Sequence, residues 1–365
     1  MIREIRDFIH EKKRMENSFL SNAKLMCPGT YTFDRSVKFM MRNDQWTENT
    51  INEMIKQDKY SKAYIRFFIV LLKMFVFRKK LVVPKQQSVI EDFSGTVYLP
   101  VRSTNSYNDT KIFDLTRNKI LSIFTRNEDY QSVLTNLNYF NEYFPIPQII
   151  WKSDQKLFIM EELIRFKSLD QWTNHDYEFV IKGVFGHYIE YFKACKQNGQ
   201  FSLQKRAIIC KESLGDTDAF SFDIDEEIAQ QEFPYVLLHG DLWTGNLLLE
   251  EQVHRSIYYI DWEYSSELLF FYDLLNMMWI EIYMNNNYVY FDQYLNGDYD
   301  EQFSELFLIF NLRFYTERRL DYFMLYFVHF LHVRGSHFDR KDKLIYLEKY
   351  KKLLKRVNGK LADET

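Results

Sequence analysis

Cysteine, glycine and proline are all scarce in this chain of 365 residues, and each shortage excludes something. The three cysteines, Cys27, Cys195 and Cys210, are scattered without metal or redox spacing, which argues against a disulfide scaffold, a zinc ribbon or a dithiol centre. An odd, dispersed set of thiols suits a reducing compartment, so a cytoplasmic location is expected. With only 11 Gly and 6 Pro the chain is not a loop-rich or disordered polymer. Long hydrophobic runs are missing as well. The most apolar stretch, Phe67 to Leu72, is six residues long before Lys73 interrupts it, far below the roughly 20 needed to cross a bilayer. The N-terminal residues alternate charged and apolar side chains, so no signal peptide is expected. Absent too are G-x-x-x-x-G-K, G-x-G-x-x-G, H-E-x-x-H and G-x-S-x-G, which leaves P-loop, Rossmann, zinc-protease and serine-hydrolase readings without support.

What is abundant is aromatic: 33 Phe and 26 Tyr, within a hydrophobic share of 46%, are ample for a core. The length predicts a two-lobed body with an appendage. A net charge of −4 hides an asymmetry, because residues 1–90 carry 18 Lys and Arg against 9 Asp and Glu. Within that basic segment, 59–80 reads as a helix, with Lys59, Lys62, Arg66, Lys73 and Lys80 on one stripe and Phe67, Phe68, Leu71, Met74 and Phe75 on the rest. Such a helix either packs on the body with its basic stripe in solvent or lies on an anionic membrane as a peripheral contact. No nucleic-acid partner is expected, since no binding motif accompanies the charge.

The densest chemical signal is Leu238-His239-Gly240-Asp241-Leu242-Trp243-Thr244-Gly245-Asn246, followed by Ile260-Asp261-Trp262-Glu263. Phosphoryl transfer requires a carboxylate near the attacking hydroxyl, and an Asn and a second carboxylate to hold magnesium on the nucleotide phosphates. Short apolar runs at 235–238, 247–249 and 256–260 are expected to set these groups on tight turns at one edge of a small sheet.

The pattern HGD-L-x-x-x-N followed by IDWE resembles the aminoglycoside phosphotransferase and choline kinase family, which has a protein-kinase-like fold. The resemblance implies an α+β, two-lobed molecule that uses ATP and Mg²⁺ to phosphorylate a small-molecule acceptor. It implies Asp241 as the catalytic carboxylate and His239 beside it as a brace of the loop. Asn246 and Asp261 would be magnesium ligands, and Asp273 would hold the loop from a helix start. Trp243 would either face the acceptor or pack beneath the loop. A nucleotide-binding β lobe is expected over 93–162, after a basic helical extension over 1–92 and before a helical catalytic lobe over 163–365. In the β lobe, five strands near 96–101, 111–115, 119–124, 148–151 and 156–160 are expected, with a helix over 129–144. Ser103, Thr104 and Ser106 would cover the phosphates, and Glu161 and Leu163 would lie in the hinge whose backbone reads adenine.

The resemblance weakens at the third strand, where the lysine that pairs with phosphates is replaced by Ser122. Lys119 has the opposite strand parity, Arg126 lies beyond the strand and Lys111 is on the neighbouring strand, and any of the three could serve as the substitute cation. Either another cation serves and the protein is an active kinase, or it is a reduced, nucleotide-binding regulator or an interaction protein. The acidic body, −13 outside the basic segment, favours sugars, amino sugars or amino alcohols as acceptors unless the site holds a local cation. Later in the chain, 176–198, 303–331 and 341–356 read as helices, the middle one carrying an aromatic stripe expected to be core.

Overall fold

A computed structural model describes residues 2–33, 39–54, 80–85, 90–100, 109–205, 224–251, 255–335 and 340–363. Most of the 59–80 helix and the 103–106 loop lie outside the described residues. By contact the chain divides into two compact units. The first comprises Met1–Asn141, Pro145–Asp176 and Leu248–Ile260; the second comprises Glu142–Phe144, Tyr177–Leu247 and Asp261–Thr365.

The first unit is built on one antiparallel sheet. Its strands are β1 (Gly29–Phe33), β2 (Met40–Arg42), β3 (Leu81–Val83), β4 (Val97–Pro100), β5 (Thr110–Asp114), β6 (Lys119–Ile123), β7 (Ile149–Ser153) and β8 (Phe158–Glu162), in the order β3-β1-β2-β4-β5-β6-β8-β7. The five strands expected between 93 and 162 are all present, with a helix (Asn127–Phe140) between β6 and β7. What the sequence reading missed is the other three. Residues 1–92 are not a helical extension apart from the sheet, because β1, β2 and β3 lengthen it beyond β4. These strands are three to five residues long, too short for alternation to register as a pattern.

Each face of this sheet has its own core. On one, the helix Ile2–Ser21 contributes Met15 and Phe19, which pack with Tyr31, Met40, Tyr98, Ile112, Leu121 and Met160. On the other, Val97, Leu115 and Leu163 pack with Phe39 and with Ile51 of the helix Gln45–Met54. Strand alternation assigns the faces: Ile112 and Leu121 are fully buried on the first side, so Lys111, Ile120 and Ser122 belong to the second.

The second unit is largely helical, with Asn174–Asn198 as its longest described element before Tyr272–Asn285, Arg319–Gly335 and Arg340–Asp363. The aromatic stripe is core as expected: Phe307, Phe310, Phe314, Tyr322, Phe323, Tyr326, Phe327 and Phe330 are all buried. The single helix predicted over 303–331 is instead two, Asp300–Ile309 and Arg319–Gly335. Asn311 takes the left-handed conformation between them (φ 60°), which Asn tolerates better than most residues and which stops the first helix. Among the described residues no helix is long and apolar enough to cross a membrane.

Candidate active site

The strand β10 (Glu232–Leu238) is the platform of the site, pairing with β13 (Ser266–Leu269) on one side and β9 (Ser202–Lys205) on the other. The strands β11 (Leu247–Leu249) and β12 (Ile257–Tyr259) form a separate two-stranded ladder, so the three apolar runs do not share the one small sheet that was expected. Three short strands cannot announce their partners in sequence, and pairing is a tertiary decision.

Directly after β10 the chain turns at Gly240, whose φ is +78°. A Cβ there would meet the Tyr264 carbonyl oxygen at 2.3 Å, so both conformation and space require glycine. The turn is held from below by Asp273, in the first turn of the Tyr272–Asn285 helix. Its carboxylate is fully buried and accepts from the His239 N–H (2.8 Å), the Gly240 N–H (2.9 Å) and the Tyr188 hydroxyl (2.7 Å). Burial pushes its pKa up to about 6, against the lowering effect of these three donors. One helical turn on, Asn276 Nδ2 donates to the Leu242 carbonyl (2.9 Å). Further along the same helix, the buried Glu281 accepts from the Thr244 hydroxyl. The loop is thus fixed at four points by a single helix.

His239 is fully buried. Its ring lies 4.5 Å from that of Trp262, and its Nδ1 accepts from the Asp241 N–H (3.3 Å), contacts consistent with the expected bracing of the loop. Trp243 lies over Gly245: a Cβ on Gly245 would fall 2.4 Å from the indole. That contact places Trp243 within the loop's own packing.

Asp241 sits at the tip, with about a third of its side chain exposed. Asn246 Nδ2 donates to the Asp241 carbonyl (2.8 Å) and lies 3.4 Å from Oδ2, which orients the amide oxygen of Asn246 as a free ligand atom. Asp261 is exposed and adopts a left-handed conformation (φ 63°). Burial raises the Asp241 pKa; Arg334 and Asn246 oppose the rise, and Asp261 adds to it, so the two carboxylates sense each other. Among the described residues no group of three or more His, Cys, Asp or Glu could hold a metal alone. An amide and a carboxylate oxygen are nonetheless the donor set that suits Mg²⁺, which takes its remaining ligands from phosphates and water.

Arg334, near the end of the Arg319–Gly335 helix, was not foreseen. Its Nη2 donates to Asp241 Oδ1 (2.6 Å) and to the Gly240 carbonyl (2.8 Å), and its guanidinium stacks 4.2 Å over Tyr264. Ninety-three residues separate it from Asp241 and no local motif marks it.

The residues expected to meet the nucleotide lie in the first unit. Lys111 is the register partner of Ser122, which is paired in turn with Ile159, so Lys111, Ser122, Glu161 and Leu163 share one face of the sheet. Lys119 is on the other face and donates to the Asp92 carbonyl (3.1 Å). Arg126 is engaged with Asp129 through two contacts (2.7 and 2.5 Å). Of the three substitutes considered, only Lys111 therefore stands beside the vacated position. One expectation is corrected: the Leu163 N–H does not await a base, because it extends the sheet ladder to the Asn118 carbonyl (2.9 Å). Leu163 also packs with Ile51, so the N-terminal segment covers part of this face. Ser103, Thr104 and Ser106 lie outside the described residues.

Comparison with known proteins agrees with the motifs. The sequence model of the Phosphotransferase enzyme family matches residues 189–307. A search of curated protein sequences finds no match. Among solved structures, a choline kinase from Streptococcus pneumoniae is similar, with 13% identity over 71% of this chain and 92% of that one (TM-score 0.37). An aminoglycoside phosphotransferase from Streptomyces rimosus matches with 10% identity over 64% and 92% (TM-score 0.35). An ethanolamine kinase from Plasmodium vivax matches with 13% identity over 84% and 94% (TM-score 0.35). The matched segment holds His239, Asp241, Asn246, Asp261 and Asp273 together, in agreement with the motifs' resemblance to a phosphotransferase family.

Proposed function

We propose that this protein transfers the γ-phosphoryl group of ATP to a hydroxyl of a small molecule, a sugar, amino sugar or amino alcohol being the first candidates. The observation that carries the reading is Asp241, a partly exposed carboxylate on a loop tied down by Asp273, with Asn246 bonded to it and Asp261 within electrostatic reach. Asp241 would accept the hydroxyl proton as the acceptor oxygen bonds to phosphorus. Asn246 and Asp261 would hold Mg²⁺, which when bound neutralises phosphate charge. Lys111 is our candidate for the cation on the nucleotide side, because it shares a face and a register position with Ser122. The charge argument against anionic acceptors loses force, since Arg334 is a local cation beside Asp241.

A second reading, a nucleotide-binding regulator with reduced catalysis, is favoured by Ser122 in place of lysine and by Ile51 packed against Leu163. A cytoplasmic, membrane-peripheral location remains part of the proposal. It rests on the scattered cysteines, which have no disulfide or metal spacing, and on the basic 59–80 stripe.

The test is Mg²⁺-dependent ATP consumption against a panel of sugars, anionic sugars, aminoglycosides and amino alcohols, with nucleotide binding measured in parallel. Asp241→Ala should abolish turnover and leave Mg·ATP affinity nearly intact. Asp261→Ala should weaken that affinity by about 10- to 150-fold, the equivalent of one charge-assisted contact. Binding without turnover on any acceptor would favour the regulator. Wild-type turnover in both variants would refute the assignment of roles.

A further inference from the structure

Arg334 is set against the carboxylate that would activate the acceptor, with Nη2 on that carboxylate. Nη2 donates to Asp241 Oδ1 and to the Gly240 carbonyl, and the fully buried Tyr272 hydroxyl is a further polar neighbour of the guanidinium. Nη1 and Nε carry further N–H donors in the same plane. The guanidinium carbon lies 4.2 Å over the Tyr264 ring, and the side chain is only 12% exposed, so its charge is poorly screened by water. Tyr264 belongs to the turn that follows Asp261, and the Gly240 carbonyl belongs to the turn that precedes Asp241. One cation is therefore held by both loops that carry the acidic groups of the site.

A nucleotide triphosphate arriving here adds several negative charges to Asp241 and Asp261, and the strand position that would supply a lysine holds Ser122. A hydroxyl bonded to the remaining oxygen of Asp241 lies about 2.7 Å from it, and the phosphorus it attacks lies about 3–3.5 Å beyond. A guanidinium anchored on the other oxygen of the same carboxylate is separated from that phosphorus only by the carboxylate and the attacking hydroxyl, so its charge acts strongly there.

Building on the function proposed above, we infer that Arg334 is a catalytic residue that binds the phosphoryl group during its transfer. In that step the acceptor oxygen forms its bond to the γ-phosphorus while the bond from phosphorus to the β–γ bridging oxygen breaks. The electron pair of that bond leaves with ADP, and the hydroxyl proton passes to Asp241. Charge on the equatorial oxygens is met by the guanidinium of Arg334, which is the place where a planar, always-charged fork is most effective. The Asp241 contact pre-positions the guanidinium, so no reorganisation is needed when the phosphoryl group is in flight.

The test uses the full chain with Mg·ATP, with Mg·ADP, and with Mg·ADP plus aluminium fluoride as a mimic of the transferred phosphoryl group. Affinities are read by calorimetry on wild type, Arg334→Met and Arg334→Lys, with unliganded melting curves as a check of folding. Wild type should bind ADP about tenfold or more tightly when the fluoride is present, a gain expected of a transition-state mimic. Arg334→Met should lose that gain while its Mg·ATP affinity stays within about threefold of wild type, and Arg334→Lys should recover part of it. Turnover of Arg334→Met on any acceptor found should fall by about 10³-fold or more through kcat rather than KM. An undiminished fluoride gain in Arg334→Met would overturn the inference and leave the proposed function standing. Failure of wild type to bind Mg·ATP at all would overturn both. If Arg334→Met is too unstable to assay, the lysine variant decides: a full fluoride gain supports a cation at this position, and none, with Mg·ATP binding intact, refutes a charge that lysine could supply.

Discussion

Asp273 is the residue through which loop geometry and pH should be coupled. Its carboxyl is fully buried and its pKa is pushed up to about 6, whereas in the unfolded chain it returns to about 3.9. Below about pH 4 both states are protonated and the folded state keeps its full stability. Between about pH 4 and about pH 6 the unfolded chain ionises first while the folded chain still holds its proton, so stability falls as pH rises. Above about pH 6 the loss is complete, and a shift of about two units amounts to about 3 kcal/mol. Asp273→Asn removes the titration. Its amide oxygen can take the place of Oδ2 and keep the His239 N–H and the Tyr188 hydroxyl, while its NH₂ then faces the Gly240 N–H. That mismatch should cost about 1–3 kcal/mol at any pH. The assay is urea unfolding of both proteins from about pH 4 to about pH 7.5, read as the difference between them, so that other titrating groups cancel. The variant should be the less stable protein at the acid end and gain about 3 kcal/mol on wild type toward neutral pH. A difference that is flat with pH, or that moves in favour of wild type, would mean that the three donors hold the carboxylate ionised and that burial is not the dominant influence.

Two further outcomes follow from the geometry. Gly240→Ala forces a Cβ to 2.3 Å from the Tyr264 carbonyl at a φ of +78°, so it should destabilise the fold by about 2–4 kcal/mol and abolish turnover; a thermal melt within about 2 °C of wild type would contradict this. Lys111→Met should reduce Mg·ATP affinity by about 10- to 150-fold, while Lys119→Met and Arg126→Met, whose side chains are engaged with the Asp92 carbonyl and Asp129, should change it little; a loss confined to either of the latter would transfer the cation role away from Lys111.

The N-terminal segment shows how a fold can be longer than its pattern. The five strands from β4 to β8 alternate clearly enough to be located in sequence, but Gly29–Phe33, Met40–Arg42 and Leu81–Val83 are too short for a period of two to stand out. Their pairing is non-local, β1 with β3 across some fifty residues, and only the assembled sheet edge selects it. The same applies to Ile51, which has no marked apolar face around it in its helix until the sheet face supplies Val97, Leu115 and Leu163.

Sequence alone determined the chemistry of the loop. Asp241, Asn246 and Asp261 are close in the chain, and the aromatic stripe declares itself as core. Local spacing carries such information because the groups that need one another are joined by short, stiff turns. Tertiary structure decided the rest. It buried His239, gave Lys111 the register of Ser122, used the Leu163 N–H in a ladder, and brought Arg334 to Asp241 from ninety-three residues away. None of these has a local signature, because register and helix packing are set by the complementarity of whole faces and not by any run of neighbouring residues.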